Sequence, residues 1–297
     1  MSRVEVTRPR KLLFPQAGVT KGDLVAYYER VAEHMLPHVR DRPVSMQRFP
    51  DGIEGYGFFH KDVPDHFPAW ISRVEVEKHG GTVTHAVASN ADTLAYLANQ
   101  GCITPHVWLS RCDRLRFPDR LVFDFDPSVD DFAAVRRAAR NAGQLLRQLG
   151  LAPFAMVTGS RGIHVWSPLQ RRAEFEQVRA FAMDVARVMV ARLPDELTLE
   201  SRKAKRGDRM LVDVNRNAYA QTAVPPYAVR PRAQAPVATP LEWEELSDSR
   251  LRPDRWTVKN LFRRLSSKGD PWAGMAPSAC GLSEPRKRLD RLLAAEL

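Results

Sequence analysis

The sequence predicts an α+β chain whose centre is a β-α-β-β-α-β unit, and three observations carry that reading. Strand-like and helix-like stretches alternate in that order between Leu121 and Val214. Gly and Pro turns separate them where a chain must reverse. Hydrophobic residues make up 44% and charged residues 27%, enough apolar material for a sizeable core. This order of elements is the split βαβ pattern of ferredoxin-like (RRM-like) sheets, in which the first strand is central and flanked by the third and fourth.

Each element has a local cause. Residues 121–126 form an apolar run that ends in acids. Asp130 or Asp131 can cap the helix that follows to Leu149, and Gly150 stops it. Residues 154–158 and 163–167 read as the second and third strands, joined by Gly159-Ser160-Arg161-Gly162. A helix over residues 174–193 and a strand over 210–214 complete the unit. The N-terminal part reads as a mixed α/β subdomain. Thr20 and Asp23 form a capping box ahead of Leu24, Tyr28, Val31 and Met35 at helical spacing. Strands are expected at residues 44–49, 73–77, 82–88 and 103–109, with Asn90 capping a helix over 91–99. Beyond Tyr219 the chain is rich in Pro and Arg, then helical around 258–265, with a basic amphipathic tail from Pro285. We expect one domain over 1–297, comprising an N-terminal α/β part (1–110), a catalytic core (111–235) and a helical, basic C-terminal segment (236–297).

Charge narrows the partner. Lys and Arg number 45 against 35 Asp and Glu, a net charge of +10. Such a balance favours polyanions, nucleic acid above all, with a merely basic enzyme as the alternative. No apolar stretch reaches the ~20 residues needed to cross a bilayer. The start carries scattered Arg and Lys without an apolar segment, which argues against a secretory signal. Cys102, Cys112 and Cys280 include no C-x-x-C pair, so a disulfide framework or a structural zinc is poorly supported. The expectation is a cytoplasmic protein with no membrane partner.

The sharpest motif is Phe123-Asp124-Phe125-Asp126-Pro127. Residues two apart on a strand share a face, so Asp124 and Asp126 lie side by side and each makes the other costly to ionise. A divalent cation relieves that repulsion; the plain alternative is two acids capping a strand end. In the split βαβ order the fourth strand, with Asp213 in the run Leu211-Val212-Asp213-Val214, lies next to the first. Three carboxylates on one surface suit Mg²⁺ or Mn²⁺ and a two-metal phosphoryl-transfer site.

Basic and glycine-rich segments supply anion contacts. The turn Thr158-Gly159-Ser160-Arg161-Gly162 offers backbone N–H groups with Ser160 and Arg161, and His164 can donate to the same anion. A plain hairpin with an exposed Arg is the alternative. Arg202, Lys203, Lys205, Arg206 and Arg209 precede Asp213, and Arg216, Asn217, Arg230 and Arg232 follow it. They could neutralise a triphosphate, or could form a solvated loop. Lys11 and Lys21 flank a loop and a helix start, a phosphate grip. Phe58 and Phe59, followed by His60 and Lys61, could stack on bases; two adjacent Phe are also common in cores.

In these motifs the sequence resembles the polymerase domain of the bacterial end-joining ligase D, in the archaeo-eukaryotic primase superfamily. The resemblance runs from Arg10-Lys11-Leu12-Leu13-Phe14-Pro15 to Gly269-Asp270-Pro271-Trp272. Asp124-Phe125-Asp126, Ser160-Arg161-Gly162-Ile163-His164 and Val212-Asp213 look like its three catalytic motifs. Thr104-Pro105-His106-Val107-Trp108, Arg216-Asn217, Gln221-Thr222-Ala223-Val224 and Pro226-Tyr227-Ala228-Val229-Arg230 match further.

The resemblance implies a primase-polymerase fold and a DNA-directed nucleotidyltransferase acting in non-homologous end joining. It would extend primers and fill gaps at DNA breaks with NTPs or dNTPs. It implies Asp124, Asp126 and Asp213 as ligands of two divalent ions, Mn²⁺ or Mg²⁺. Thr158, Ser160, Arg161, His164, Arg206, Arg216 and Arg230 would surround the incoming nucleotide, with His106 near its sugar. Lys11 and Lys21 would hold the 5′-phosphate of a gapped duplex, and Phe58 and Phe59 would stack on template bases. It further implies a nucleoid-associated location, with Ku and a DNA ligase as partners. No ligase-type Lys-x-Asp-Gly motif accompanies these residues, so a stand-alone member or a piece of a longer protein is expected. De novo primer synthesis and a non-catalytic DNA-end-binding module are the competing readings.

Overall fold

The computed structural model describes residues 3–78, 80–129 and 131–296. Two compact units interleave along the chain, where the sequence suggested three consecutive parts. One unit comprises Met1–Asp113, Thr222–Thr239 and Trp256–Gly269; the other comprises Arg114–Gln221, Pro240–Arg255 and Asp270–Leu297.

The first unit opens with the hairpin β1 (Leu12–Phe14) and β2 (Val19–Thr20) and the helix α1 (Lys21–Val39). The capping box forms as expected: the Thr20 hydroxyl accepts from the Asp23 N–H, and the Asp23 carboxylate accepts from the Thr20 N–H at 2.9 Å. There follow β3 (Pro43–Arg48), β4 (Phe58–His60), β5 (Arg73–Lys78), β6 (Gly81–Val87), α2 (Ala91–Asn99) and β7 (Cys102–Trp108). The sheet runs in the order Thr222–Ala223, β7, β3, β6, β5, and β4 pairs with β3 beyond the point where β6 leaves it. The pairing of Thr222 with Trp108 and of Ala223 with Val107 draws this late segment into the unit. The Thr104 hydroxyl, which donates to the Val229 carbonyl at 2.5 Å, helps hold the segment that follows.

The second unit contains β8 (Arg120–Asp126), α3 (Phe132–Gln148), β9 (Phe154–Val157), β10 (Ile163–Pro168), α4 (Phe175–Arg192), β11 (Leu197–Thr198), α5 (Lys203–Arg206) and β12 (Met210–Asp213). Its sheet order is β11, β12, β8, β10, β9, Thr239–Leu241. The first core strand is thus central, between the third and the fourth, as the element order required. The edge strands β11 and Thr239–Leu241 were not expected from the sequence. Asp131 caps α3 by accepting from the Ala134 N–H at 3.0 Å, while Asp130 lies outside the described residues. Leu121, Phe123 and Phe125 alternate along β8 and are fully buried with Val135, Ala139, Leu146, Val178 and Val185 of the two long helices. Alternation then leaves Asp124 and Asp126 together on the opposite face.

Candidate active site

Strand register assembles the site. In the antiparallel pairing of β8 with β10, His164 stands opposite Asp124; in that of β8 with β12, Asp213 stands opposite Asp124. Directly opposed residues in an antiparallel ladder share a face, so His164, Asp124 and Asp213 form a row across three strands. Asp126 sits two residues along on the same face. The third acid therefore lies on the side of the other two, as the order of elements implied.

The carboxylates are held differently. Asp124 is buried and ion-paired with two basic groups, His164 with Nε2 at 3.2 Å and Arg216 with Nε at 3.5 Å. Burial alone would raise its pKa; His164 and the Arg216 guanidinium override that and lower it to about 2. Asp126 moves the other way, raised by burial and then by the negative charge of Asp124, against the pull of Arg161, His164 and Arg216. Two adjacent acids pushed apart in this way form a strained pair that added positive charge stabilises. The Asp213 Oδ1 accepts the Asn215 N–H at 2.8 Å, pinning the turn that leaves β12.

The turn between β9 and β10 is tied to this face. The buried Thr158 hydroxyl accepts from the Ser160 and Gly162 N–H groups, each at 3.3 Å, closing the loop on itself. Gly162 has no room for a side chain: a Cβ there would meet the Phe125 carbonyl oxygen at 2.3 Å and Asp126 Oδ1 at 2.8 Å. Close approach of the loop to the acids is the reason for the glycine. Arg161 is exposed beside it. His164, expected to contact the substrate anion, is engaged with Asp124 itself.

Asn217 emerges as a residue whose role sequence reasoning missed. It is fully buried; its side-chain amide donates to the carbonyls of Val122 (2.7 Å) and Val214 (2.9 Å) and accepts the Val122 N–H at 2.9 Å. The amide continues the β8 ladder past the end of β12 and sets Arg216, its neighbour, over Asp124. The Arg216-Asn217 pair was visible in the sequence as part of a basic run and as a motif of the resembling family, but nothing there showed that Asn217 ties the backbone of β8. The Arg206 guanidinium donates to the carbonyls of Glu200 (2.8 Å) and Ser201 (2.5 Å).

The remaining predicted residues belong to the first unit. Lys11 pairs with the exposed Asp51 at 2.6 Å. Lys21 is buried, and its ammonium donates to the Thr7 hydroxyl at 2.8 Å. Burial, then the charges of Lys11 and Arg8, lower its pKa. Lys21 thus braces the loop as well as adding charge to it. His106 is buried, within 3.3 Å of Gln47 Oε1, and Phe59 packs edge-on against its ring at 5.2 Å. Arg230 is half-buried, its backbone N–H donating to the Pro236 carbonyl.

A family model, that of the LigD primase-polymerase domain, matches residues 20–272. The chain belongs to the LigD primase-polymerase family. It is 33% identical over 285 residues to the multifunctional non-homologous end joining DNA repair protein LigD of Mycobacterium tuberculosis, covering 90% of this chain and 36% of that protein. It is 30% identical over 288 residues to LigD of Pseudomonas aeruginosa, covering 96% of this chain and 34% of that protein. The chain therefore spans about a third of the length of these relatives. The polymerase domain of Mycobacterium tuberculosis ligase D, solved in complex with DNA, superposes with a TM-score of 0.88 at 31% identity, covering 94% of this chain and all of that one. A LigD primase-polymerase domain is a nucleotidyltransferase, and that is the class of enzyme to which this chain belongs. No helix among the described residues is long and apolar enough to cross a membrane.

Proposed function

We propose that this LigD-type polymerase extends primers and fills gaps at DNA breaks under the direction of a template strand, using NTPs or dNTPs. The observation that carries the reading is the row His164–Asp124–Asp213 with Asp126 beside it, facing a glycine-bearing turn.

The donors fit divalent metals. All are hard carboxylate oxygens, and burial and repulsion raise the pKa of Asp126. Among the described residues no three His, Cys, Asp or Glu groups stand ready as a metal cage. Mg²⁺ commonly binds through one or two carboxylates plus substrate phosphates and water, so a closed protein cage is not required. In our reading Asp124, Asp126 and Asp213 hold two ions, Mn²⁺ or Mg²⁺. Bound there, such ions lower the pKa of a 3′-hydroxyl and offset charge developing on the phosphates.

The chain's own groups do the rest. Asp124 is kept ionised by His164 and Arg216. The Ser160 and Gly162 N–H groups already serve the Thr158 hydroxyl, so in our reading the Ser160 hydroxyl and the exposed Arg161 side chain supply the turn's contacts to the triphosphate. Arg216 is 40% exposed at its side chain and adds a second cation; we assign Arg206, Arg230 and His106 to the same nucleotide. Lys11 with Lys21 is assigned to a 5′-phosphate, and Phe58 with Phe59 to template bases. Ku and a DNA ligase are proposed as partners, because the relatives named above are end-joining proteins.

The test is incubation with a gapped, 5′-phosphorylated duplex, Mn²⁺ and each nucleotide in turn. Template-matched addition to the primer is expected. Primer-free synthesis on a single strand would favour a primase instead, and DNA binding without any incorporation would favour an end-binding module.

A further inference from the structure

Because side chains alternate along a strand, the adjacent Phe58 and Phe59 of β4 face opposite ways. Phe59 opposes Gln47 and meets His106. The side of Phe58 is built as a pile. At its base Arg48 is anchored, with Nε donating to the Gln100 carbonyl at 2.9 Å and Nη1 3.0 Å from His60 Nδ1. Arginine can only donate, so that His60 nitrogen accepts. The guanidinium carbon lies 5.7 Å from the centre of the Phe58 ring. Above it, Tyr56 stacks on Phe58 with centroids 6.0 Å apart and planes within 19°.

Tyr56 is 83% exposed, against 55% for Phe59. A ring so open to water gains little from burial, yet its backbone is fixed. Gly57 lies so close to Phe49 that a Cβ would fall 2.2 Å from the Phe49 ring. The segment is thus pressed onto the sheet while one aromatic ring stands out from it.

We propose that Tyr56 is a nucleobase-stacking residue, whose outward ring takes an unpaired base of a single-stranded nucleic-acid segment. Aromatic rings stack on any base, but only an unpaired, unstacked base offers its face to a side chain. Arg48 beneath the pile and the exposed Lys61 just past the strand supply cations for the sugar-phosphate chain, in a protein of net charge +10. The inference rests on the reading of this chain as a nucleic-acid enzyme and adds to it a site outside Phe58 and Phe59.

The experiment measures affinity, by fluorescence anisotropy, for a duplex with a single-stranded template overhang and for the same duplex made blunt. Wild type, Tyr56→Ala and Tyr56→Phe are compared, with thermal melting as a check on folding. Tyr56→Ala should weaken overhang binding on the order of tenfold, Tyr56→Phe should match wild type, and the blunt duplex should bind all three alike. Unchanged overhang binding by Tyr56→Ala overturns the proposal while leaving the polymerase reading intact. Equal loss on both duplexes also overturns it, pointing to a general effect of the substitution. A wild type that extends no primer and binds no overhang defeats the polymerase reading as well.

Discussion

The acidic face of β8 and the aromatic ledge of β4 solve opposite problems. At the β8 face the groups are opposed in register and held close: buried Asp124 is paired with His164 and Arg216, half-buried Asp213 accepts the Asn215 N–H, and Gly162 lets the turn come close to the exposed Asp126. On β4 the outermost ring meets water, and only the pile beneath it is fixed. Buried charges must be oriented by the fold itself, since an unpaired one is costly. A stacking platform needs only an exposed face and a rigid base. Under the proposed function, the difference teaches that reaction geometry comes from sheet register, whereas substrate reach comes from local surface chemistry.

The comparison breaks most sharply if the acids are dispensable. Replacing both Asp124 and Asp126 by Ala should lower primer extension on the order of 10³-fold or more, with DNA binding retained in gel-shift assays. Near-normal extension would detach the chemistry from β8. Next in size is Asn217→Ala, which leaves the buried backbone groups of Val122 without partners. Stability should fall by roughly 3 kcal/mol, seen as a fall of about 5–10 °C in Tm.

Asp124 itself gives a pH-dependent signature. Its folded pKa is held below the ordinary value of 3.8, at about 2, so the ionised form stabilises the fold above pH ~4. That contribution, about 2 kcal/mol, should disappear as pH falls from about 4 through about 2. Asp126, with its pKa raised, works in the opposite sense. Chemical denaturation of metal-free protein across that range, compared with Asp124→Asn, reads the difference; identical pH profiles would contradict the pairing. The smallest effect belongs to the N-terminal loop. Lys11→Ala should cost roughly tenfold in affinity for a gap bearing a 5′-phosphate and nothing for one without it. Lys21→Ala should reduce Tm as well, because its ammonium is bound to Thr7.

Much of β8 was legible beforehand because its logic is periodic. The alternation of Asp124 and Asp126 with Phe123 and Phe125 assigns faces, and the order of elements places Asp213 in the neighbouring strand. What stayed hidden depends on contacts remote in sequence. Asn217 stands in a matched motif, but its bracing role shows only when its amide meets Val122, 95 residues away. The pairings of Thr222–Ala223 with β7 and of Thr239–Leu241 with β9 involve segments too short to carry a period. Burial of Lys21 could not be read from a residue type that is usually solvated. Tyr56, alone between two glycines, shows its meaning only once Phe58 lies beneath it.

One kinetic experiment bears most directly on the third acid. Single-turnover addition of one nucleotide to a gapped, 5′-phosphorylated duplex is measured for wild type and Asp213→Ala at matched DNA occupancy. The register of β12 against β8 predicts a rate reduced at least about 10²-fold with DNA affinity and Tm little changed. A variant that adds the nucleotide as fast as wild type would mean that Asp213 is a turn-capping residue and the catalytic surface lies elsewhere.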